Sequence, residues 1–235
     1  RSNLSKINKN RRKGEYFLTD IVEILYNQGD YIASFFLEDG KEIMGINTQA
    51  DLQVAAKIMR YRVVTELITR GVSIVDPETT FISQGVKVGK NTVIYPFTYI
   101  EEGVIIGRHC RIGPFIHIRK GSRIADKVLL GNFLEINRSS IGNNTKVKHF
   151  SYIGDAFIKE NVNIGAGTVI ANYDGRNKHK TFINKGAFIG SDTVLVAPVT
   201  IGKDSVTGAG SVVTKDVKAG QIVVGVPARA FKKKR

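Results

Sequence analysis

The chain has 235 residues, enough for one large domain or a small one joined to a larger. With 42% hydrophobic and 24% charged residues it reads as folded rather than disordered, and no apolar run approaches the roughly 20 residues of a membrane span. The formal charge of +14 sits at the ends: Arg1, Lys6, Lys9, Arg11, Arg12 and Lys13 open the chain, Lys232, Lys233, Lys234 and Arg235 close it, and without these the excess is +4. A nucleic-acid surface puts its charge on a folded face with aromatics interleaved, so this distribution reads as solvated tails and no nucleic-acid partner is expected; a tail helping to hold an anionic ligand is the sharper alternative. The basic, polar start lacks the apolar core of a signal peptide. Cys110 is a single cysteine, which excludes an intrachain disulfide framework and fits a cytoplasmic location. Because it begins with Arg1 rather than Met, the chain is compatible with being a piece of a longer one.

Residues 14–75 have α/β character. Thr19 is a candidate cap for a short helix through Gln28, with Ile21, Val22, Ile24 and Leu25 on one face and Gly29 after it. Tyr31–Leu37 and Glu42–Ile46 read as two strands around an Asp39-Gly40 turn. Thr48 with Asp51 three residues on has the form of a capping box. It opens a helix reaching about Arg70, with Leu52, Ala55, Met59, Val63 and Leu67 on one stripe and Gly71 as its stop. Asp76-Pro77 then marks a boundary, giving a division into 1–75 and 76–235. The first segment is too small for a core of its own and should pack on something else.

From Ile82 aliphatic residues recur every six positions: 82, 88, 94, 100, 106, 112, 118, 124, 130 and 136. The spacing shortens at Ile141 (then 147 and 153) and again at Ile158 (then 164 and 170), and resumes from Ile183 through 189, 195, 201, 207, 213 and 219. Of these 23 positions only Thr207 and Ala219 are not Val, Ile or Leu. That period predicts a hexapeptide-repeat parallel β-helix of about eight triangular coils, each burying its apolar face only by stacking on the next. The repeat breaks after Ile170 at ANYDGRNKHKTF, where Arg176 falls on an inward position. An unpaired arginine is too costly to bury, so residues 172–182 should project as a loop.

Four stretches carry a resemblance: IGPFIHIRKGS (112–122), LGNFLEIN (130–137), KHFSYIGDAFIKENVNIGAGTVIANYDGRNKHKT (148–181) and IGSDTVLVAPVTIG (189–202). They resemble the C-terminal half of the bifunctional N-acetylglucosamine-1-phosphate uridyltransferase / glucosamine-1-phosphate acetyltransferase family. GEYFLTDIVEILYNQG and GINTQADL resemble the end of its uridyltransferase domain. The resemblance implies a left-handed β-helix, since the period alone fixes no hand, and a homotrimer whose projecting loops meet the adjacent subunit. It implies transfer of acetyl from acetyl-CoA to the amine of glucosamine 1-phosphate, in UDP-N-acetylglucosamine and cell-wall precursor synthesis. Such chemistry needs a base, donors for an oxyanion and cations for a phosphate.

By resemblance His149 is the base, an imidazole suiting the task because it titrates near working pH. Glu135 supports the amine and the histidine, and Asn172 sits at the acyl centre. The Ala166 backbone N–H meets the oxyanion. Arg119 holds the phosphate through paired guanidinium donors, and Tyr152, Asn163 and Tyr173 contact the amino sugar and its phosphate. Ser191 and Ala209 line the acetyl-CoA channel, where small residues let the pantetheine lie close. His109, His117 and His179 lack such a context and read as packed or surface histidines. The three histidines of the zinc-dependent γ-class carbonic anhydrases find no match here.

Two departures stand out. Asn137 replaces a lysine beside the substrate phosphate, and Arg138 next to it should point to the opposite face of a strand. Gly225 replaces an arginine for CoA, leaving Arg229 or the terminal KKKR for that phosphate; the ending VGVPARAF resembles single-function hexapeptide acyltransferases instead. The glycine-rich nucleotide loop of the uridyltransferase half is absent. Asn47 matches one of its magnesium ligands, and magnesium is expected only with the missing half, so no uridylyl transfer is expected from this chain alone. The alternatives are a different amino-sugar or nucleotide-linked acceptor, or a non-catalytic assembly module.

Overall fold

The structure, a computed structural model, describes residues 3–231. Its contacts divide the chain into two compact units, one up to Asn47 and one from Thr48 on. This falls earlier than the 75/76 boundary drawn from the repeat, because the helix before the coils packs on them.

The first unit holds helix α1 (Asp20–Asn27) and short 3-10 turns at Leu4–Lys6 and Gly40–Ile43. The expected hairpin does not form: Tyr31–Leu37 has no regular structure and Gly40–Ile43 is helical. A two-stranded ribbon needs a third layer to cover one face, and here Tyr31, Phe35 and Phe36 are all more than 85% exposed. Thr19 precedes α1 as expected but has helical dihedrals and makes no side-chain cap. No described residue of this unit is buried.

The second unit opens on helix α2 (Gln49–Thr69), whose capping box forms as read: the Asp51 N–H donates to Thr48 Oγ1 (3.1 Å) and the Thr48 N–H to Asp51 Oδ2 (2.9 Å). Gly71 ends it at φ +86°, a conformation open to glycine without penalty. The expected apolar stripe is only partly used. Leu67 is buried and Val63 packs on the core, but Leu52 and Met59 are exposed. The end of α2 joins the main core through Leu67, with Val72 just after it, and mid-helix Arg60 also reaches the first coil, pairing with Glu78 at 3.1 Å and lying over the Phe81 ring at 4.8 Å.

From Ser73 the chain winds as a parallel β-helix of about eight turns. Short strands stack in register on three faces. Along one face run Val93, Arg111, Leu129, Lys146, Asn163, Phe188, Val206 and Ile222. Along the next run Phe81, Tyr99, His117, Glu135, Tyr152, Val169, Val194 and Val212. The third face is the separate seven-stranded sheet from Lys87–Val88 to Val199–Ile201. Two long strands, Leu129–Asn137 and Lys146–Gly154, run round the corner between the first two faces.

Of the 23 periodic positions all but Val88 and Ala219 are buried. At the last coil Val217 pairs with Ile201 and turns inward in place of Ala219. A second inward column, two residues before each aliphatic, holds small residues such as Thr92, Thr98, Cys110, Thr145, Thr193 and Ser205. Their hydroxyls donate to turn carbonyls, as Thr193 Oγ1 does to Gly190 O at 2.7 Å, so most polar atoms of this column are satisfied locally; the buried Thr181 hydroxyl, with no partner among the described residues, is an exception. The projecting loop forms over a shorter span than 172–182, since Asn172 is buried and Thr181–Ile183 is already a strand of the third face. Residues 173–178 are exposed, Tyr173 and Lys178 make an antiparallel bridge, and the Asp174 carboxylate accepts from the N–H groups of Arg176 and Asn177 and from His179 Nε2. Those bonds hold the Asp174 carboxyl well below the usual carboxylate range. Among the described residues no helix is long and apolar enough to cross a membrane.

Candidate functional site

Register gathers the expected residues into columns that the linear sequence does not show. Leu130 pairs with Val147, Val147 with Ile164, Ile164 with Ile189 and Ile189 with Thr207. Two residues further along each turn stand Asn132, His149, Ala166, Ser191 and Ala209, one above another at the corner between the first two faces. Cross-coil bonds keep the stack beyond the strands: the Gly167 N–H donates to Phe150 O (2.9 Å), Asp192 N–H to Ala166 O (2.6 Å) and Gly210 N–H to Ser191 O (2.8 Å). Glycine at 165 and 190 permits the approach, since a Cβ at Gly165 would lie 2.5 Å from Ser191 N and one at Gly190 2.7 Å from Ala209 N. His149 is exposed on this column and its ring makes no hydrogen bond among the described residues. The Ala166 N–H likewise meets no acceptor among them.

On the second face beside this corner lies an open groove of about 760 Å³. Glu135 and Tyr152 form part of its floor, and Phe115, Phe133 and Phe150 its wall. Phe97, Phe115 and Phe133 occupy successive corners at positive φ (53° to 57°), and their rings stack 4.7 and 5.1 Å apart. Arg119 Nε lies 2.7 Å from Glu135 Oε1, an ion-pair distance, although its N–H is not aligned on the oxygen as a hydrogen bond. His117, read as a packed or surface residue, reaches Glu101 at 2.9 Å. The Lys120 N–H, and then His117, hold the Glu101 carboxyl below its ordinary value.

At the far corner of the same face stand Asn137, Tyr152, Gly154 and Asn172. A Cβ on Gly154 would lie 2.6 Å from Tyr152 Oη and 2.8 Å from Asn172 Nδ2, so these two side chains converge over the glycine. Arg138 departs from the expected opposite-face placement. The strand ends at Asn137 and Arg138 takes φ +47°, so strand alternation stops there. Its guanidinium curls back to donate to Asn137 Oδ1 (2.8 Å) and, in bidentate fashion, to Asp155 (2.7 Å to each oxygen). Asn172 Nδ2 donates to the same carboxylate. The hydrogen bond from Arg138 is the main reason the Asp155 carboxyl sits below its ordinary value. Sequence reasoning passed over Asp155; its only signal was a corner position shared with Arg138 one coil before.

Other expected residues stay apart. Asn163 lies on the first face, between Lys146 and Phe188, across the corner from Tyr152. Tyr173 is exposed and its hydroxyl donates to Gly175 O within its own loop. Arg229 lies on the closing antiparallel strand opposite Val224, next to Gly225, exposed, with Nη1 on the Ala228 carbonyl. The terminal KKKR lies outside the described residues. Asn47 is exposed at the end of the first unit, and among the described residues no group of three His, Cys, Asp or Glu could hold a metal ion.

The bacterial transferase hexapeptide model (six repeats) matches residues 85–115 and 180–215. The bifunctional protein GlmU of Thermodesulfovibrio yellowstonii is 40% identical over 94% of this chain and 56% of that protein. GlmU of Thermosipho africanus is 41% identical over 96% and 56%. The chain matches the C-terminal half of GlmU. It spans about half the length of the curated relatives it matches, and the fold it shares with the hexapeptide transferases is the left-handed parallel β-helix. Among solved structures, a point mutant of perosamine N-acetyltransferase from Caulobacter crescentus, in complex with CoA and GDP-perosamine, is similar over 76% of this chain and 66% of that one (TM-score 0.44, 18% identity). The GlmU match runs through both corners and the groove between them, so every candidate residue of the coils lies within it.

Proposed function

We propose that the chain is an acetyl-CoA-dependent N-acetyltransferase acting on glucosamine 1-phosphate, in a cytoplasmic pathway to UDP-N-acetylglucosamine. The observation that carries this reading is the corner column: His149, Ala166, Ser191 and Ala209 stand in register beside a groove holding Glu135 and Tyr152, in a chain 40% identical to GlmU.

In this mechanism the thioester lies along the column, with the small Ser191 and Ala209 leaving room for the pantetheine. His149 takes a proton from the acceptor amine as the nitrogen attacks the thioester carbon. The C–N bond forms and the carbonyl oxygen gains a negative charge, which the Ala166 N–H stabilises. The C–S bond then breaks, and the imidazolium returns its proton to the leaving thiolate. Arg119 supplies charge for the sugar phosphate. Because Arg119, Glu135 and Asn172 lie along one side of a face, His149 at its other side and Asn163 beyond it, one chain holds only part of the site. A homotrimer in which a neighbouring face completes it is part of this proposal. The residues before Thr48, none of which is buried among those described, are read as the end of a nucleotidyltransferase domain, without uridylyl transfer of their own.

The test is thiol release from acetyl-CoA with glucosamine 1-phosphate. Activity is expected, with a loss of roughly 10²- to 10⁴-fold in His149→Ala; no activity in the parent chain, or full activity in the variant, overturns the reading. One observation favours a second reading within the same class. Arg138 is neutralised by Asp155, so Asn137 leaves Arg119 as the main cation on this side, itself paired with Glu135. The loss of one charge-assisted contact weakens phosphate binding by about 1.5–3 kcal/mol. A non-phosphorylated or nucleotide-linked amino sugar outperforming glucosamine 1-phosphate in an acceptor panel would select this second reading.

A further inference from the structure

The Asp155 carboxylate joins three coils. It takes both donors of the Arg138 fork and the Nδ2 of Asn172, and its side chain is 14% exposed. An ionised carboxylate has only acceptors to offer. The Asn172 carboxamide can therefore meet it through nitrogen alone, which turns Oδ1 the other way. No donor among the described residues reaches that oxygen, and it is not sealed from solvent. Tyr152 Oη and Asn172 Nδ2 converge over Gly154, so the nitrogen end of the carboxamide is held between Asp155 and Gly154 and the oxygen lies on the side away from both.

We propose that Asp155, locked by Arg138, is a positioning residue that fixes Asn172 with its oxygen, not its nitrogen, presented to the acceptor. This rests on the acetyl-transfer reading above. An oxygen at that place accepts from the N–H of an amine and leaves the nitrogen lone pair directed elsewhere, toward the thioester carbon. A flipped carboxamide would present N–H donors to N–H donors and repel the same nucleophile. The device thus selects a nucleophile that has a hydrogen to give, and it acts on turnover more than on affinity.

A donor–acceptor exchange tests it. In Asp155→Asn the carboxamide of Asn172 is free to flip, and in Asn172→Asp two carboxylates face each other. Each is expected to lower kcat roughly ten- to a hundredfold with a smaller change in KM. In the double variant the new amide at 155 keeps its oxygen on Arg138 Nε, gives up the Arg138 Nη2 bond that shares the other position, and donates to the new carboxylate at 172, whose second oxygen faces the acceptor, so kcat should recover about tenfold over either single variant. A merely structural role for Asp155 gives no such recovery. The proposal is overturned if Asp155→Asn stays within about threefold of the parent chain, or if the folded double variant is no faster than the slower single one. Should Asp155→Asn fail to fold, the folded double variant decides alone: active supports the proposal, inactive overturns it. An inactive parent chain would instead remove the acetyl-transfer reading itself.

Discussion

Gly154 has no side chain at the point where Tyr152 and Asn172 meet, and alanine there is a small perturbation with a calculable reach. The backbone permits it, because φ at Gly154 is not in the left-handed region. The added methyl would lie 2.6 Å from Tyr152 Oη and 2.8 Å from both Tyr152 Cε1 and Asn172 Nδ2, where ordinary contact begins at 3.4 Å. The two side chains must therefore retreat by about 0.6–0.8 Å. They are side-chain ends beside an open groove, so the cost in stability falls at the low end for overpacking, about 1 kcal/mol, or about 2–4 °C in Tm. Catalysis is less forgiving: displacement by about 1 Å costs on the order of 10²-fold in rate, about 2.7 kcal/mol of barrier. Gly142→Ala is the control, since its methyl would meet backbone at 2.6 Å (Glu160 N and Lys159 C) on the third face, away from the groove. Thiol-release kinetics and thermal melting on both variants should separate them, with Gly154→Ala slow but nearly as stable as the parent and Gly142→Ala less stable but normal per folded molecule. A Gly154→Ala chain with unchanged kcat would refute the placement of Tyr152 and Asn172 at the reacting centre.

Removing the capping box with Thr48→Ala should cost about 0.5–2 kcal/mol, read as a lower melting temperature of the helical dichroism signal. Cys110 is 1% exposed and burial pushes its thiol up, so a thiol reagent should label the native chain only at the rate of unfolding, and fast labelling in buffer would contradict its place in the core. The pairing of Arg138 with Asp155 depends on acid in a defined direction. The Asp155 carboxyl is held below its ordinary 3.8 by Arg138 and then Asn172, so its contribution is complete above the unfolded value and declines as pH falls through the folded one. The melting difference between the parent and Asp155→Asn should be flat from about pH 8 to 5 and shrink below about pH 4; a difference that grows in acid would reverse the assignment.

The coils were legible because every inward position asks for the same thing. A period of six in Val, Ile and Leu survives two shortenings and a loop, and Ile94, Ile112, Leu130, Val147 and Ile164 all land in the core. The hairpin of residues 31–46 was not legible, since alternation describes a strand only when a neighbour covers one face, and nothing in the local sequence says whether it exists. The site divides in the same way. His149 and Ala166 could be named from their motif, but their alignment with Ser191 and Ala209 depends on coil lengths of seventeen, twenty-five and eighteen residues, which only the register reveals. Arg138 was misjudged because alternation was carried one residue past the strand's end, and Asp155 was missed because its partners are seventeen residues away on either side.

The stacking of the corner column has a mechanical corollary. A solenoid melts from its ends, because a terminal coil has one neighbour instead of two. Ala209 stands near the C-terminal end, Ser191 one turn further in, and His149 near the middle of the stack. Partial fraying would therefore strip the column in order, losing Ala209 and then Ser191, the proposed lining of the coenzyme channel, while His149 and Glu135 remain in place. The antiparallel return of Arg229–Ala230 onto Val223 and Val224 closes that vulnerable end as a clasp, so it would guard the proposed thioester side of the column rather than the proposed acceptor side.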